Sequence, residues 1–246
     1  MLDVVQLFID ILGRITNVVD LRDALDAVVK EIGFDYFALM EHVDLARHAS
    51  GEILFLTTYP SAWADFYIAK QIVSNDPVLL ASHRTSNGFR WSAVSDFIPI
   101  SAAHRAIRER TIKAGIIDGF TVPAHIPGTA HGSCNFALGS GRILAPTNYH
   151  AAQLVGSFAF EAGRRIVHNG DRTAMPTKLT PRMIDCVFLA ACGKTDWEAG
   201  TILGIAEDTV TEYLDEARRR YDVGHRSQLL MRALFDGHLA ISDVIR

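Results

Sequence analysis

A chain of 246 residues, 49% hydrophobic and 21% charged, carries more apolar material than one average core consumes, which excludes a disordered chain and implies one large domain or two unequal ones. Twenty-eight Asp/Glu against 24 Lys/Arg give a formal charge of −4, so no global basic field advertises a nucleic acid or a membrane, and any such contact must be local. Cys134, Cys186 and Cys192 fit neither a disulfide framework nor a metal-type spacing, and no apolar run approaches ~20 residues. The N-terminus carries Asp3 and Asp10 where a signal peptide needs cations. A reduced, cytoplasmic chain without bound metal or membrane span is expected.

Val4, Leu7, Phe8, Ile11, Leu12 and Ile15 recur at helical spacing, and Asp20 caps a second amphipathic run from Leu21 to Ile32 that Gly33 stops. Phe34 to Met40 and Ile53 to Tyr59 read as neighbouring antiparallel strands. Pro60-Ser61 ends the second of them, Asp76-Pro77 restarts a helix with proline in its first turn, and helices cover about Ser61 to His83. A helix over Ser101 to Ala114, strands at Gly119 to His125 and Ser133 to Gly139, and a long helix from Asn148 to His168 complete this part. The fold class is α+β: an antiparallel sheet between helical layers, an α/β/α sandwich with room for a cavity. The pocket is expected to draw on Phe37, Leu39, Leu54, Leu56 and Ile72.

Tyr59, Trp63, Tyr67 and Asp76, with Phe89-Arg90-Trp91 further on, concentrate polar aromatics around one carboxylate. Scattered aromatics usually mean ordinary core. Here Trp63 and Tyr67 share a helix face at i and i+4, Tyr59 enters from the adjoining strand, and a buried carboxylate without a partner is costly, so unpaired tips invite a ligand.

The polar, aperiodic stretch Asn169 to Lys178 places a linker at 171–177, between domains 1–170 and 178–246. The second domain reads as four helices. Thr180 and Pro181 open the first, which ends at Gly193. Thr195 and Glu198 form a capping box for a short second helix that stops at Gly204; a third from Glu207 to Tyr221 buries Val210, Leu214, Ala217 and Tyr221, and a fourth runs through Leu229 to Leu234. Two short helices joined by a glycine turn make a helix-turn-helix. Gly200 inside the second helix reads as a cost of about 1 kcal/mol against alanine. From Pro176 onward nine Lys/Arg face eleven Asp/Glu, and the start of the third helix is acidic.

The strings LTPR, GKTDWEAGTILGIAEDTV and VGHR closely resemble the DNA-binding domain of LuxR-type transcription regulators. Tyr59-Pro-x-x-Trp63-x-x-x-Tyr67, Asp76-Pro77-Val78, Trp91 and Gly119 resemble the acyl-homoserine-lactone-binding domain of the same family. The resemblance implies that Trp63 donates to a lactone carbonyl, Asp76 accepts from an amide N–H and Tyr59 donates to an amide carbonyl, while Trp91 packs on the lactone ring, Tyr67 walls the acyl chain and Ser133 adds a polar contact. It also implies that Thr209, Thr211, Glu212 and Asp215 face DNA and that Arg182, Lys194 and Arg219 meet phosphates. The expected function is a homodimeric, DNA-binding regulator sensing an N-acyl-homoserine lactone or aryl analogue, with no enzymatic activity, cofactor, metal or membrane partner. The alternative is a receptor with weak or no DNA binding that heterodimerises with or sequesters another regulator, because an acidic reading head forfeits phosphate attraction.

Overall fold

The computed structural model describes residues 1–43, 53–126, 130–168 and 178–245; the linker expected at 171–177 lies outside them. The chain divides into two compact units, Met1–Arg172 and Thr173–Arg246. Among the described residues no helix is long and apolar enough to cross a membrane.

The first unit begins with α1 (Leu2–Leu12) and α2 (Val18–Glu31). The cap of α2 is Asn17 rather than Asp20: its side chain accepts from the amides of Val19 and Asp20. Strands β1 (Tyr36–Glu41), β2 (Phe55–Thr57), β3 (Phe89–Arg90), β4 (Asp118–Ala124) and β5 (Gly132–Leu138) form one sheet in the order β2-β1-β5-β4-β3. Every pairing is antiparallel. The helices expected over Ser61 to His83, with a restart at Asp76-Pro77, are α3 (Ser61–Ala69) and α4 (Pro77–Ser82), separated by a 3-10 turn at Ile72–Asn75 that follows Gln71 at φ 49°. Two further helices, α5 (Ala102–Lys113) and α6 (Pro146–Val167), complete the unit.

Strand periodicity divides the sheet's side chains between two layers. Phe37 and Leu39 of β1, Phe120 and Val122 of β4, and Cys134, Phe136 and Leu138 of β5 join the main core with α1, α2 and α6. The long α6 approaches closely because Gly156 and Gly163 face it onto Val122 and Leu54, which a β-carbon would strike. The intervening residues, Met40 and Ala137 among them, face a second cluster built with Trp63, Tyr67, Ile72 and Leu79. This second face corrects the expected pocket lining. Phe37, Leu39 and Leu54 are fully buried in the main core, because in a strand the neighbouring residue, not the bulkiest one, looks into the opposite layer.

The second unit holds α7 (Pro181–Ala191), α8 (Asp196–Leu203), α9 (Glu207–Tyr221) and α10 (Arg226–Phe235), then one further turn, α11 (Ile241–Val244). Thr180 caps α7 and the Thr195–Glu198 capping box opens α8. Gly204 stops α8 in the left-handed conformation at φ 67°. Ala206 leaves α9 without a side-chain cap. The reading of Gly200 as a lost opportunity for alanine is overturned: a β-carbon there would lie 2.8 Å from the Ile205 carbonyl oxygen. The backbone that follows α8 folds back onto this glycine, and the Ile205 amide bonds the Gly200 carbonyl at 3.0 Å. Helix propensity ignores that approach.

Candidate ligand-binding site

Between the sheet and α3, α4 and α5 lies a cavity of about 60 Å³, counting only space open to the centres of water-sized molecules. That is several times the ~10–15 Å³ one water needs. Tyr59, Trp63, Tyr67, Asp76 and Trp91 all line it, as do Met40, Phe55, Ile107, Arg108, Thr111 and Asn135. The five residues that helix spacing and the family resemblance singled out therefore converge on one space. Gly119 reaches it indirectly: a β-carbon there would lie 2.6 Å from the Phe136 carbonyl and collide with the Trp91 indole. Only a bare backbone lets that ring lie down on β4.

Asp76 does two jobs within the protein. One carboxylate oxygen caps α4, accepting from the Val78 amide at 2.8 Å, and the other accepts from the Tyr67 hydroxyl at 2.8 Å. Burial raises the Asp76 carboxyl above its ordinary range, and the bonds from Tyr67 and Val78 oppose that rise. With the Leu79 amide also acting on the carboxylate, three of its roughly four acceptor sites are engaged, and the group retains capacity to accept one more bond. Tyr67 is thus a positioning residue for the carboxylate, where the sequence suggested a mere wall.

Tyr59 stands in the opposite condition. Its hydroxyl is buried against the cavity and has no hydrogen-bond partner. Burial, followed by the neighbouring Asp76, pushes its pKa well up, so the group stays a protonated donor. Its ring meets Tyr36 edge-on at 6.3 Å. Trp63 packs between Phe66 and Tyr67, at 5.8 and 5.9 Å between ring centres.

Trp91 spends its indole N–H inside the protein, donating to Thr121 Oγ1 at 2.9 Å. Thr121 donates in turn to Asn135 Oδ1 at 2.7 Å. What Trp91 offers a ligand is its ring face. Ser133 does not line the cavity; its hydroxyl accepts from Asn135 Nδ2 at 2.9 Å and meets His42 Nε2 at 2.8 Å. Asn135, two residues along β5 on the same face, is the polar group that strand contributes. Arg108 and Thr111 were missed as well. Their i, i+3 spacing on α5 was the available signal, hidden in a helix that is polar almost throughout.

The Ser133 hydroxyl also ends a histidine cluster. His42 Nδ1 lies 2.8 Å from His83 Nε2, and His125 Nδ1 lies 2.8 Å from His131 Nδ1. The His83 and His131 rings are 4.6 Å apart. Among the described residues no group of three or more His, Cys, Asp or Glu is arranged to hold a metal ion.

On the second unit, Thr211 and Glu212 are exposed on α9, and Thr209 and Asp215 partly so. Thr211 is not free, for its hydroxyl donates to Asp196 at 2.8 Å. Asp215 pairs with Arg218, and Glu216 holds both Arg219 and Arg220. Arg182 is exposed 3.8 Å from Asp185, and the Lys194 carbonyl accepts from Arg226.

Residues 17–163 match the family model of the autoinducer binding domain. The HTH-type quorum sensing-dependent transcriptional regulator RpaR of Rhodopseudomonas palustris is 29% identical over 211 residues, 85% of this chain and 84% of its own length. The transcriptional activator protein BjaR1 of Bradyrhizobium diazoefficiens is 26% identical over 229 residues, 92% of each chain. Escherichia coli SdiA, a solved structure, matches with a TM-score of 0.61 at 22% identity over 93% of this chain and 94% of that one, a likeness of fold.

Proposed function

The chain belongs to the autoinducer binding domain family, and from that premise we propose that it is a cytoplasmic quorum-sensing transcriptional regulator, not an enzyme, whose first domain, about 1–170, binds an N-acyl-homoserine-lactone-type signal and whose second, about 178–246, is a helix-turn-helix that binds DNA. The observation that carries the ligand reading is the Tyr59 hydroxyl, a buried donor with no protein partner on the wall of a cavity that the Asp76 carboxylate also lines. Burying a hydroxyl unpaired costs about 1–3 kcal/mol, which a ligand carbonyl recovers. In this pose Tyr59 donates to the amide carbonyl, Asp76 accepts from the amide N–H, Trp63 donates to the lactone carbonyl and the Trp91 face covers the ring. Ligand binding stabilises the folded protein by mass action, about 2.7 kcal/mol at a hundred times Kd, which couples signal concentration to DNA occupancy. The exposed apolar residues Leu7, Ile11, Leu154 and Phe158 on α1 and α6 suit a second copy of the chain.

Tyr59→Phe separates this reading from simple core packing. Since the hydroxyl has no partner to lose, the unliganded variant is expected to match or exceed the parent in urea unfolding. Its affinity for N-acyl-homoserine lactones should fall about 3- to 12-fold, the worth of one hydrogen bond. Unchanged affinity would remove the role.

A specific observation supports the second reading, a receptor with weak DNA binding. The cations at the end of α9 are engaged by Asp215 and Glu216 of the same helix, which leaves little charge for phosphates. Gel shifts on promoter DNA across a salt series discriminate: specific binding whose logarithm falls steeply with log salt supports the regulator, while no complex at low salt supports the receptor.

A further inference from the structure

Arg108 is the group in the cavity that the assigned roles leave unused. One nitrogen, Nη2, is anchored by donation to the Ile117 carbonyl. The other, Nη1, is buried and has no hydrogen-bond partner. The guanidinium lies 5.9 Å from the centre of the Trp91 ring. Its nearby carboxylate, Asp118, is already committed, accepting from the Gly119 amide at 2.8 Å and lying 3.8 Å from Arg90. Arg108 therefore presents an incompletely compensated cation and a free N–H at the cavity wall.

The same residue borders a second, more open cleft of about 310 Å³, which shares Pro77, Val78, Trp91 and Arg108 with the inner cavity. His104 and Arg105 also line this cleft, with Glu109 the acidic exception. Space for a larger polar end thus adjoins a cation seeking an acceptor. Among ligand groups, a carboxylate answers that need most strongly, through a charge-assisted bond in a site partly shielded from water.

We propose that Arg108 is a specificity-determining residue that accepts a carboxylate at the polar end of the ligand, so that the site takes N-acyl amino acids such as the ring-opened N-acyl-homoserine as well as the closed lactone. This rests on the proposed signal-binding function and adds to it the class of head group. Neutral lactones use Tyr59, Asp76 and Trp63, while the open acid adds a bond to Arg108 Nη1. Methionine at 108 keeps the bulk and removes the charge; lysine keeps the charge.

The test is titration calorimetry on the full chain with N-octanoyl-homoserine lactone and N-octanoyl-homoserine. The parent is expected to bind the acid within 10-fold of the lactone. Arg108→Met should weaken the acid at least 10-fold more than it weakens the lactone, and Arg108→Lys should restore most of the acid binding. The ratio of the two affinities is the decisive quantity, because a packing role alters both alike. A parent that rejects the acid more than 100-fold, or a ratio unmoved in Arg108→Met, overturns the role of Arg108 and leaves the lactone reading standing. Failure of the parent to bind either compound overturns both.

Discussion

Asp76→Ala is expected to lose about 2–4 kcal/mol of stability and at least 10-fold in lactone affinity, because three separate interactions end on one carboxylate. The α4 cap disappears with the bond from the Val78 amide, worth about 1 kcal/mol. The Tyr67 hydroxyl loses its acceptor while it remains in the interior, at a cost of about 1–3 kcal/mol. The ligand amide loses its charge-assisted partner, roughly 1.5–3 kcal/mol or 10- to 150-fold in Kd. Asp76→Asn divides these effects: its single oxygen serves either Val78 or Tyr67, so stability falls less, while ligand binding loses the charge. Urea unfolding without ligand and calorimetric titration with lactone measure the two quantities independently. Parent-like lactone affinity in Asp76→Ala would refute the assignment, whatever its stability.

The cluster that defines the cavity was legible because local geometry sets it. Tyr59, Trp63 and Tyr67 sit within nine residues, and Asp76 announces itself by the proline that follows it, so helix spacing and cap chemistry bring them together without knowledge of the sheet. The remaining lining depends on longer-range facts. Alternation along β1 shows that Phe37 and Leu39 share one face and Ala38 and Met40 the other, but only the packing of α6 decides which face becomes core. Ser133 and Asn135 share a face as well, and pairing of Thr121 with Asn135 across β4 and β5 decides which side chain meets Trp91's partner. Gly200 was misjudged for a related reason: propensity scales describe an isolated helix, while this glycine is fixed by backbone returning from residue 205. Beyond its i, i+3 spacing with Thr111, Arg108 carries no local mark, since its helix is capped and charged like a solvated one until the chain just before β4 supplies the Ile117 carbonyl that anchors it.

Mild acid is expected to destabilise the first unit through His42. Its ring is fixed at both nitrogens, to His83 and to Ser133, and desolvation holds its pKa down to about 3, with His83, His131 and His125 adding to the depression. His83 and His131 are themselves lowered, in both cases first by desolvation, with Arg84 a further positive neighbour of His83. The unfolded chain protonates histidine near 6.5, whereas folded His42 stays neutral down to about 3. Between those values the unfolded state binds the extra proton, so stability rises with pH: the contribution is complete above about 6.5 and is lost progressively as pH falls. Each unit within that window costs up to ~1.4 kcal/mol per excluded proton, or roughly 2 kcal/mol for His42 from pH 7 to pH 5. Carboxylates titrate over part of the same range, so the measurement is a difference. In His42→Gln an amide can bond both Ser133 and His83 but takes up no proton. Urea unfolding at pH 7 and pH 5 should show the parent losing about 2 kcal/mol more than His42→Gln. Equal losses would mean that the buried imidazole is not what acid attacks. The result also bears on the site, because the Ser133 hydroxyl that His42 holds accepts from Asn135, and Asn135 lines the cavity. Asn135 is bonded in turn to Thr121, and Thr121 to the Trp91 indole, so His42 stands at the far end of the polar chain that backs the ligand wall.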